Sequence, residues 1–197
     1  MTDARRIADA LLAGGVALMP TDTVYGLAAL PGADAAKQRI FDLKKRPENL
    51  NLQILLPENP SPESVGARLD GLAARLFADA EARPRITFIL PLDPATKPAW
   101  LADRVEAGIR VPADARTQAV LALTGPLLAT SANAHGKPPG ETTPDILADL
   151  AGAPDAVWDA GRLVGVASTV VNFNIDPPAV LRWGAVDDLT AYGLGHA

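Results

Sequence analysis

The sequence predicts a mixed α/β fold, a sheet flanked by helices, in a single domain that covers residues 1–197. Short apolar runs typical of buried strands alternate along the chain with longer segments whose apolar residues have helical spacing. These segments do not follow a regular strand–helix–strand order, which favours a mixed sheet over a strictly parallel one. A chain of 197 residues without an internal repeat, a low-complexity tract or a clear linker also suits one domain.

The N-terminal elements follow from local patterns. Segment 3–13 has helical spacing of its apolar residues and ends before Gly14, a residue that favours helix termination. The apolar run 16–19 stops at a proline, which indicates a buried strand. Asp34 is predicted to be the N-cap of a helix that runs to about residue 45, and 52–56 is a strand.

The rest of the chain is predicted to hold most of the strands. Residues 57–84 contain a proline-rich loop and one or two helices. The same periodicity rules predict strands at 86–90, 107–111, 127–130, 156–158, 169–173 and 179–182, a helix from 114 or 115 to 123, and a short helix that ends near residue 150.

The composition excludes several kinds of chemistry. Because the chain has no cysteine, it has no disulfide framework, thiolate nucleophile, cysteine zinc site or iron–sulfur cluster. Two histidines, His135 and His196, are too few for a histidine-rich centre, and we predict no metal site built by the protein. An enzyme with this composition must work mainly through positioning and charge.

Charge is distributed unevenly. The formal net charge is −5, which argues against a surface that binds nucleic acid over its whole extent. Residues 37–46, however, hold five basic residues and one acidic residue, a net +4, so the rest of the chain carries −9. This cluster of positive charge suits a small anionic ligand. On charge alone, however, a solvated basic helix end is the simpler interpretation.

Familiar signatures are missing. No apolar run has the length of a membrane-spanning helix, so we expect no membrane contact and a cytoplasmic location. The P-loop, the Rossmann glycine motif and the nucleophile elbow are also missing, so a bound nucleotide must be held in another way.

Polar groups nevertheless recur at the ends of apolar strands, where α/β sheets present ligands. The segments are PTDTVYGL (20–27), KKRP (44–47), ATSAN (129–133) and ASTVV (167–171). In addition, Arg110 lies inside an apolar strand and needs an anionic partner. Each segment alone is also explained by a turn or a solvated helix end. Taken together, the four segments and Arg110 point to a site that binds anions.

Taken in order, these segments resemble the TsaC/YrdC family of threonylcarbamoyl-AMP synthases. The matching pieces are PTDTVYGL, IFDLKKRP, GIRVP, GPLLATSANAHGKPP, ASTVV and VLRWGA. The resemblance implies a twisted mixed sheet around a central cationic cavity. It also implies that L-threonine, bicarbonate or CO2, and ATP give threonylcarbamoyl-AMP and pyrophosphate. A separate transferase complex would then use the product to make threonylcarbamoyladenosine in tRNA, with at most a weak tRNA contact by this chain.

The resemblance assigns roles by position. It implies that Lys44 and Arg46 are catalytic, and we expect both to point into solvent-filled cavity space. The implied ATP-binding residues are Lys44, Arg46, Ser131, Asn133 and Arg182. The implied threonine-binding residues are Thr21, Tyr25, Thr87, Arg110 and Ser168. Mg2+ would accompany ATP, with Asp22 as a candidate helper.

The chain departs from the family pattern at Leu50 and Asn51, at 81–85, and at Ala167. Two alternatives to the synthase stay open. One is a non-enzymatic module of the same fold that binds RNA or ribosomes. The other, which the departures keep open, is a paralogue that has lost synthase activity.

Overall fold

One nine-stranded sheet organises the part of the chain that the structure describes. The structure is a computed structural model, and it describes residues 2–45, 47, 51–59, 61–134 and 136–195. The helices are α1 (Asp3–Leu12), α2 (Asp34–Lys44), α3 (Gly71–Phe77), α4 (Ala115–Thr124) and α5 (Thr143–Asp149). The strands are β1 (Ala17–Met19), β2 (Gly26–Ala29), β3 (Gln53–Leu55), β4 (Ile86–Pro91), β5 (Glu106–Arg110), β6 (Leu127–Ser131), β7 (Ala156–Val157), β8 (Thr169–Asn172) and β9 (Ala179–Arg182).

The sheet is mixed, as the sequence predicts. The strand order is β7-β1-β2-β6-β3-β5-β4-β8-β9. The pairs β1–β7, β3–β5 and β4–β8 are parallel. The other five pairs are antiparallel. Parallel and antiparallel pairs therefore occur in one sheet, which confirms the mixed α/β class.

One strand is missing from the sequence prediction, and one predicted helix cap is wrong. The segment 26–29 was not predicted as a strand, yet it forms β2 between β1 and β6, because pairing on both sides outweighs the weak strand preference of Gly-Leu-Ala-Ala. Asp34 is not the N-cap of α2, which is Ala33, without a side-chain cap bond. Asp34 is instead the first helical residue, where a carboxylate interacts favourably with the helix dipole.

The two faces of the sheet are covered differently. On one face, apolar residues of α1 and α4 such as Ile7 and Val120 pack against strand residues from β7, β1, β2, β6 and β3. The other face belongs to a larger cluster that includes Phe88 of β4 and Ile109 of β5. No residue of β5, β4, β8 or β9 belongs to the cluster formed with α1 and α4. The site lies on these four strands together with residues of β3 and β6.

In the described part of the chain, no helix combines the length and the apolar character that crossing a membrane requires.

Candidate active site

A cavity of about 310 Å³ lies on the sheet. Residues on one face of β5 form part of the cavity floor. Because side chains alternate along a strand, Gly108 and Arg110 line the cavity whereas Ile109 enters the hydrophobic core. Five of the residues with implied substrate roles line this cavity: Thr87, Arg110, Ser131, Ser168 and Arg182. The sheet thus brings together residues that are far apart in sequence.

Arg110 is a fixed cation. Its residue is 2% exposed, its Nη2 forms an ion pair with Oδ1 of Asp22, and its Nε donates to the Pro84 carbonyl at 2.9 Å. Burial lowers the pKa of Arg110, while the Asp22 carboxylate acts in the opposite direction. A guanidinium stays charged in proteins, so the cavity holds a permanent positive charge whose direction is set by two partners.

A hydroxyl pair lies beside this cation. The Thr87 Oγ1 donates to Oε1 of Gln53 at 2.9 Å and lies 2.8 Å from the Ser168 Oγ. Arg182 is exposed at the end of β9, and its Nη2 donates to the Ser168 carbonyl at 2.7 Å. Desolvation lowers the pKa of Arg182. We call Thr87, Arg110, Ser168 and Arg182 the strand group.

The Lys44 side chain lies elsewhere than the sequence predicts. It is 1% exposed and does not line the cavity, and its Nζ donates to the backbone oxygens of Ser131 and Asn133. The prediction that Lys44 points into solvent-filled space is therefore wrong. Lys44 ends α2, beside the end of β6, and two carbonyl dipoles there attract its ammonium group.

Asn133 lies in the loop after β6. Its Nδ2 donates to the carbonyls of Ala134 and Lys137 at 3.0 and 2.6 Å. Its Oδ1 is buried and has no hydrogen-bond partner in the described part of the molecule. We call Lys44, Ser131 and Asn133 the loop group.

Thr21 and Tyr25 are not among the described residues that line the cavity. The Thr21 Oγ1 donates to the Val24 carbonyl at 2.6 Å, which closes the turn before β2. The Tyr25 hydroxyl donates to the Gly161 carbonyl at 2.7 Å and accepts from the Ala160 N–H at 2.8 Å. Burial raises the pKa of Tyr25. Both hydroxyls therefore hold backbone segments near the site.

None of the described basic residues of segment 37–46 lines the cavity. Arg39 forms an ion pair with Asp155, its Nη1 lying 2.6 Å from the carboxylate, and Lys44 is buried. Arg46 and Leu50 lie outside the described residues. The cations among the described lining residues come instead from the strands, at Arg110 and Arg182.

The departures from the family pattern occupy identifiable positions. Asn51 and Ala167 line the cavity. Residues Arg83–Arg85 form a 3₁₀ turn, and its Pro84 carbonyl accepts a hydrogen bond from Arg110. The altered 81–85 segment therefore helps to hold the buried Arg110 guanidinium in place through the Pro84 carbonyl.

Several lining residues were given no role from the sequence, and three of them are Gln53, Glu106 and Gly108. Two of them were detectable. Arg110 was recognised as an unusual residue in β5, and in a strand the residues two and four positions before it share its face. That alternation points directly to Gly108 and Glu106.

The described residues contain no group of three or more histidine or acidic side chains that could hold a metal ion. Both oxygens of Asp22, the candidate magnesium helper, are engaged, Oδ1 by Arg110 and Oδ2 by the Ala113 N–H at 3.1 Å. A cation bound by phosphates needs only one or two protein carboxylates, and Glu106 is a carboxylate that lines the cavity.

Known proteins with similar sequences and folds share this architecture. Residues 9–184 match the family model Sua5_yciO_yrdC, described as telomere recombination. The chain is 32% identical over 186 residues to a threonylcarbamoyl-AMP synthase of Bacillus subtilis, covering 87% of this chain and 50% of that protein. A threonylcarbamoyl-AMP synthase of Alkalilimnicola ehrlichii is 31% identical, with 89% and 88% covered.

A solved structure is similar as well. The Sua5 protein of P. abyssi, crystallised in complex with L-threonine, superposes with a TM-score of 0.78 at 30% identity. The match covers 92% of this chain and 54% of that one. The chain thus spans about half the length of several relatives that it matches, including the B. subtilis protein.

Proposed function

The chain belongs to the Sua5/YciO/YrdC family, and on that premise we propose that it is an L-threonylcarbamoyladenylate synthase. The reaction converts L-threonine, bicarbonate or CO2, and ATP into threonylcarbamoyl-AMP and pyrophosphate. The product would then serve a separate complex that modifies adenosine in tRNA. The observation that carries this proposal is the buried Arg110 guanidinium, which faces a cavity lined by hydroxyl and amide groups.

Threonine is proposed to bind to Arg110, Thr87 and Ser168 of the strand group. Arg110 has fixed partners on Nε and Nη2, and none of the hydrogen bonds between described residues uses its Nη1. That nitrogen is suited to the substrate carboxylate, because a charge-assisted hydrogen bond in a buried site is strong. Thr87 and Ser168 offer hydroxyl groups to the same molecule. Thr21 and Tyr25 act by holding the segments that enclose it.

ATP is proposed to bind at the loop group and at two arginines. Ser131 lines the cavity. Asn133 does not line it, but its buried Oδ1 has no hydrogen-bond partner in the described part of the molecule. Lys44 supplies positive charge beneath both residues and fixes their carbonyls. Arg46 and Arg182 are proposed to contact the phosphates, for which a guanidinium fork is well suited. Mg2+ enters with ATP as part of the substrate.

The chemistry requires no covalent intermediate with the protein. The threonine amine attacks CO2 and loses a proton, which gives a carbamate. A carbamate oxygen then attacks the α-phosphorus of ATP, and pyrophosphate leaves with the electrons of the broken P–O bond. Positioning the two substrates and neutralising phosphate charge supply the catalysis, which matches a site built from arginine, lysine, serine and threonine.

The test is pyrophosphate release with each substrate omitted in turn. We expect release from ATP only when threonine and bicarbonate are both present, and we expect serine to replace threonine poorly. Release that is indifferent to threonine would overturn the substrate assignment. A protein that binds ATP and threonine without releasing pyrophosphate would instead be the inactive paralogue.

The described residues favour the enzyme over an RNA-binding module. A module of that kind needs a broad basic surface. In this chain Arg39 is paired with Asp155, and Lys44 is buried beneath the loop group. These two cations of the basic segment are therefore engaged within the protein.

A further inference from the structure

Gln53 is a polar residue of the apolar strand β3, and its side chain reaches the strand group across the floor of the cavity. It lines the cavity, and its Oε1 accepts a hydrogen bond from the Thr87 Oγ1 at 2.9 Å. Strand β5 lies between β3 and β4, and its residue level with Gln53 is Gly108. A Cβ at Gly108 would lie 3.3 Å from the Thr87 Cγ2 and 3.9 Å from the Gln53 Cβ. The glycine therefore leaves room for a hydrogen bond that joins the two strands on either side of β5.

The hydrogen bonds of this network have a defined direction. A hydroxyl group carries one proton to donate, whereas an amide oxygen carries none. Thr87 donates its proton to Gln53, so at its 2.8 Å contact with Ser168 the Thr87 oxygen must accept. The Ser168 hydroxyl is therefore the donor of that contact, and both protons are committed inside the network. Because Ser168 lines the cavity, its Oγ faces a ligand only with lone pairs.

The Ser168 Oγ has capacity for a further donor. The Arg182 Nη2 lies 3.4 Å from this oxygen but donates to the Ser168 carbonyl at 2.7 Å, so the carbonyl is its main partner. Ser168 and Thr87 are only 4% and 5% exposed, so the network is shielded from bulk water. A carboxylate or phosphate oxygen has no proton to give and would be repelled by the lone pairs. The ligand group that fits this oxygen is an N–H donor.

We propose that Gln53 is a positioning residue that commits the Ser168 hydroxyl to accept a hydrogen bond from the amine of the substrate amino acid. An ammonium group is only a donor, and once it has lost a proton the amine keeps two N–H bonds and one lone pair. A hydroxyl that accepts from an N–H leaves that lone pair free to attack CO2. With the carboxylate on Arg110, the two contacts orient the nucleophile. The inference rests on the proposed function, because the amine is the nucleophile of that reaction.

The test compares ligands that lack one group each. Calorimetry would measure the Kd of L-threonine, of 3-hydroxybutyrate, which lacks the amine, and of L-2-aminobutyrate, which lacks the hydroxyl. Gln53→Met keeps the side-chain volume but removes the acceptor, so the Thr87 proton turns to Ser168 and the Ser168 proton is released toward the cavity. We expect the Kd of both amines to rise about fivefold and that of 3-hydroxybutyrate to change by less than about twofold. Gln38→Met, the same substitution on α2 outside the cavity, should change none of the three.

The outcomes separate this inference from the proposed function. Equal losses for all three ligands in Gln53→Met overturn the amine contact and leave the synthase proposal standing. A loss that spares L-2-aminobutyrate also overturns it and assigns the network to the substrate hydroxyl. Gln53→Glu keeps an acceptor oxygen for Thr87 and should bind threonine within about threefold of the wild type. A Gln53→Glu protein as weak as Gln53→Met overturns the role of the acceptor. A wild type that binds no threonine overturns the proposed function and this inference together.

Discussion

The strand group lines the cavity, whereas Ser131 is the one member of the loop group that does, and the two groups are built differently. Arg110 and Thr87 lie on adjacent strands, so the register of the sheet fixes their spacing. The loop group depends on contacts made after a strand and a helix have ended, where the Lys44 ammonium holds two carbonyls. The strand group is therefore pre-organised by the sheet, whereas the loop group depends on one buried charge for its shape.

This difference predicts different consequences of substitution. A change at Thr87 of the strand group should alter substrate binding and leave stability nearly intact, because the sheet remains paired. A change at Lys44 should alter both, because carbonyls that it holds would be left without a donor.

The largest effect is expected for Arg110→Lys. A lysine keeps the charge but cannot satisfy Asp22, Pro84 and a substrate carboxylate together. We expect KM for threonine to rise about 100-fold and KM for ATP to change less than threefold, as measured by pyrophosphate release. Arg75→Lys, at an exposed position of α3, is the control. An unchanged threonine KM would remove Arg110 from the amino-acid site.

Lys44→Ala should affect stability and nucleotide binding together. Each buried acceptor left unsatisfied costs about 1–3 kcal/mol, and a chain of this size loses about 2–4 °C in Tm per kcal/mol. We expect Tm to fall by about 4–8 °C and the Kd for ATP to rise at least tenfold, by thermal denaturation and calorimetry. Lys37→Ala, on the same helix, should change neither. A Lys44→Ala protein with unchanged Tm would show that the loop group does not depend on this charge.

Thr87→Val should give a smaller effect confined to threonine. Valine fills the same space but loses the hydrogen bonds to Gln53 and Ser168. We expect a rise of about fivefold in KM for threonine, with kcat and Tm close to the wild type, in the same assay. Thr96→Val, at an exposed threonine, is the control. A fall in kcat with KM unchanged would place Thr87 in the chemical step instead.

The smallest effect is expected at Asp155, which joins α2 to β1. Its Oδ2 accepts from Arg39 at 2.6 Å and from the Val16 N–H at 2.7 Å, and these bonds lower its pKa. The Asp155 carboxylate therefore stabilises the folded protein fully at pH values above its pKa in the unfolded chain, about 4. This stabilisation is lost as pH falls through the lower pKa of Asp155 in the folded protein. Asp155→Asn should lower Tm by about 2 °C at pH 7, and the difference should shrink below pH 4. A pH-independent difference would contradict the assigned cause.

The sequence was sufficient for most of the fold because its apolar runs are well separated by glycine and proline. The exception, β2, has the sequence Gly-Leu-Ala-Ala and becomes a strand only through pairing with β1 and β6. A strand that forms only through pairing with its neighbours shows no strand-like alternation in its own sequence.

The candidate site was predictable in its residue types and less so in its geometry. Arg110 was recognisable as a cation that needed a partner, but its partner Asp22 lies 88 residues away and becomes visible only in the fold. Lys44 was read as a free cation, because nothing in the sequence shows that the end of β6 comes within reach of its ammonium group. Glu106 was overlooked although the alternation around Arg110 places it on the same face.

Isotopic labelling of the product tests the central claim most directly. The protein would be incubated with ATP, L-threonine and ¹³C-bicarbonate, and the nucleotide products would be analysed by mass spectrometry. We predict threonylcarbamoyl-AMP with one added mass unit in its carbamoyl group, formed only when threonine is present. A labelled product that forms without threonine, or AMP that carries no carbamoyl group, would contradict the account.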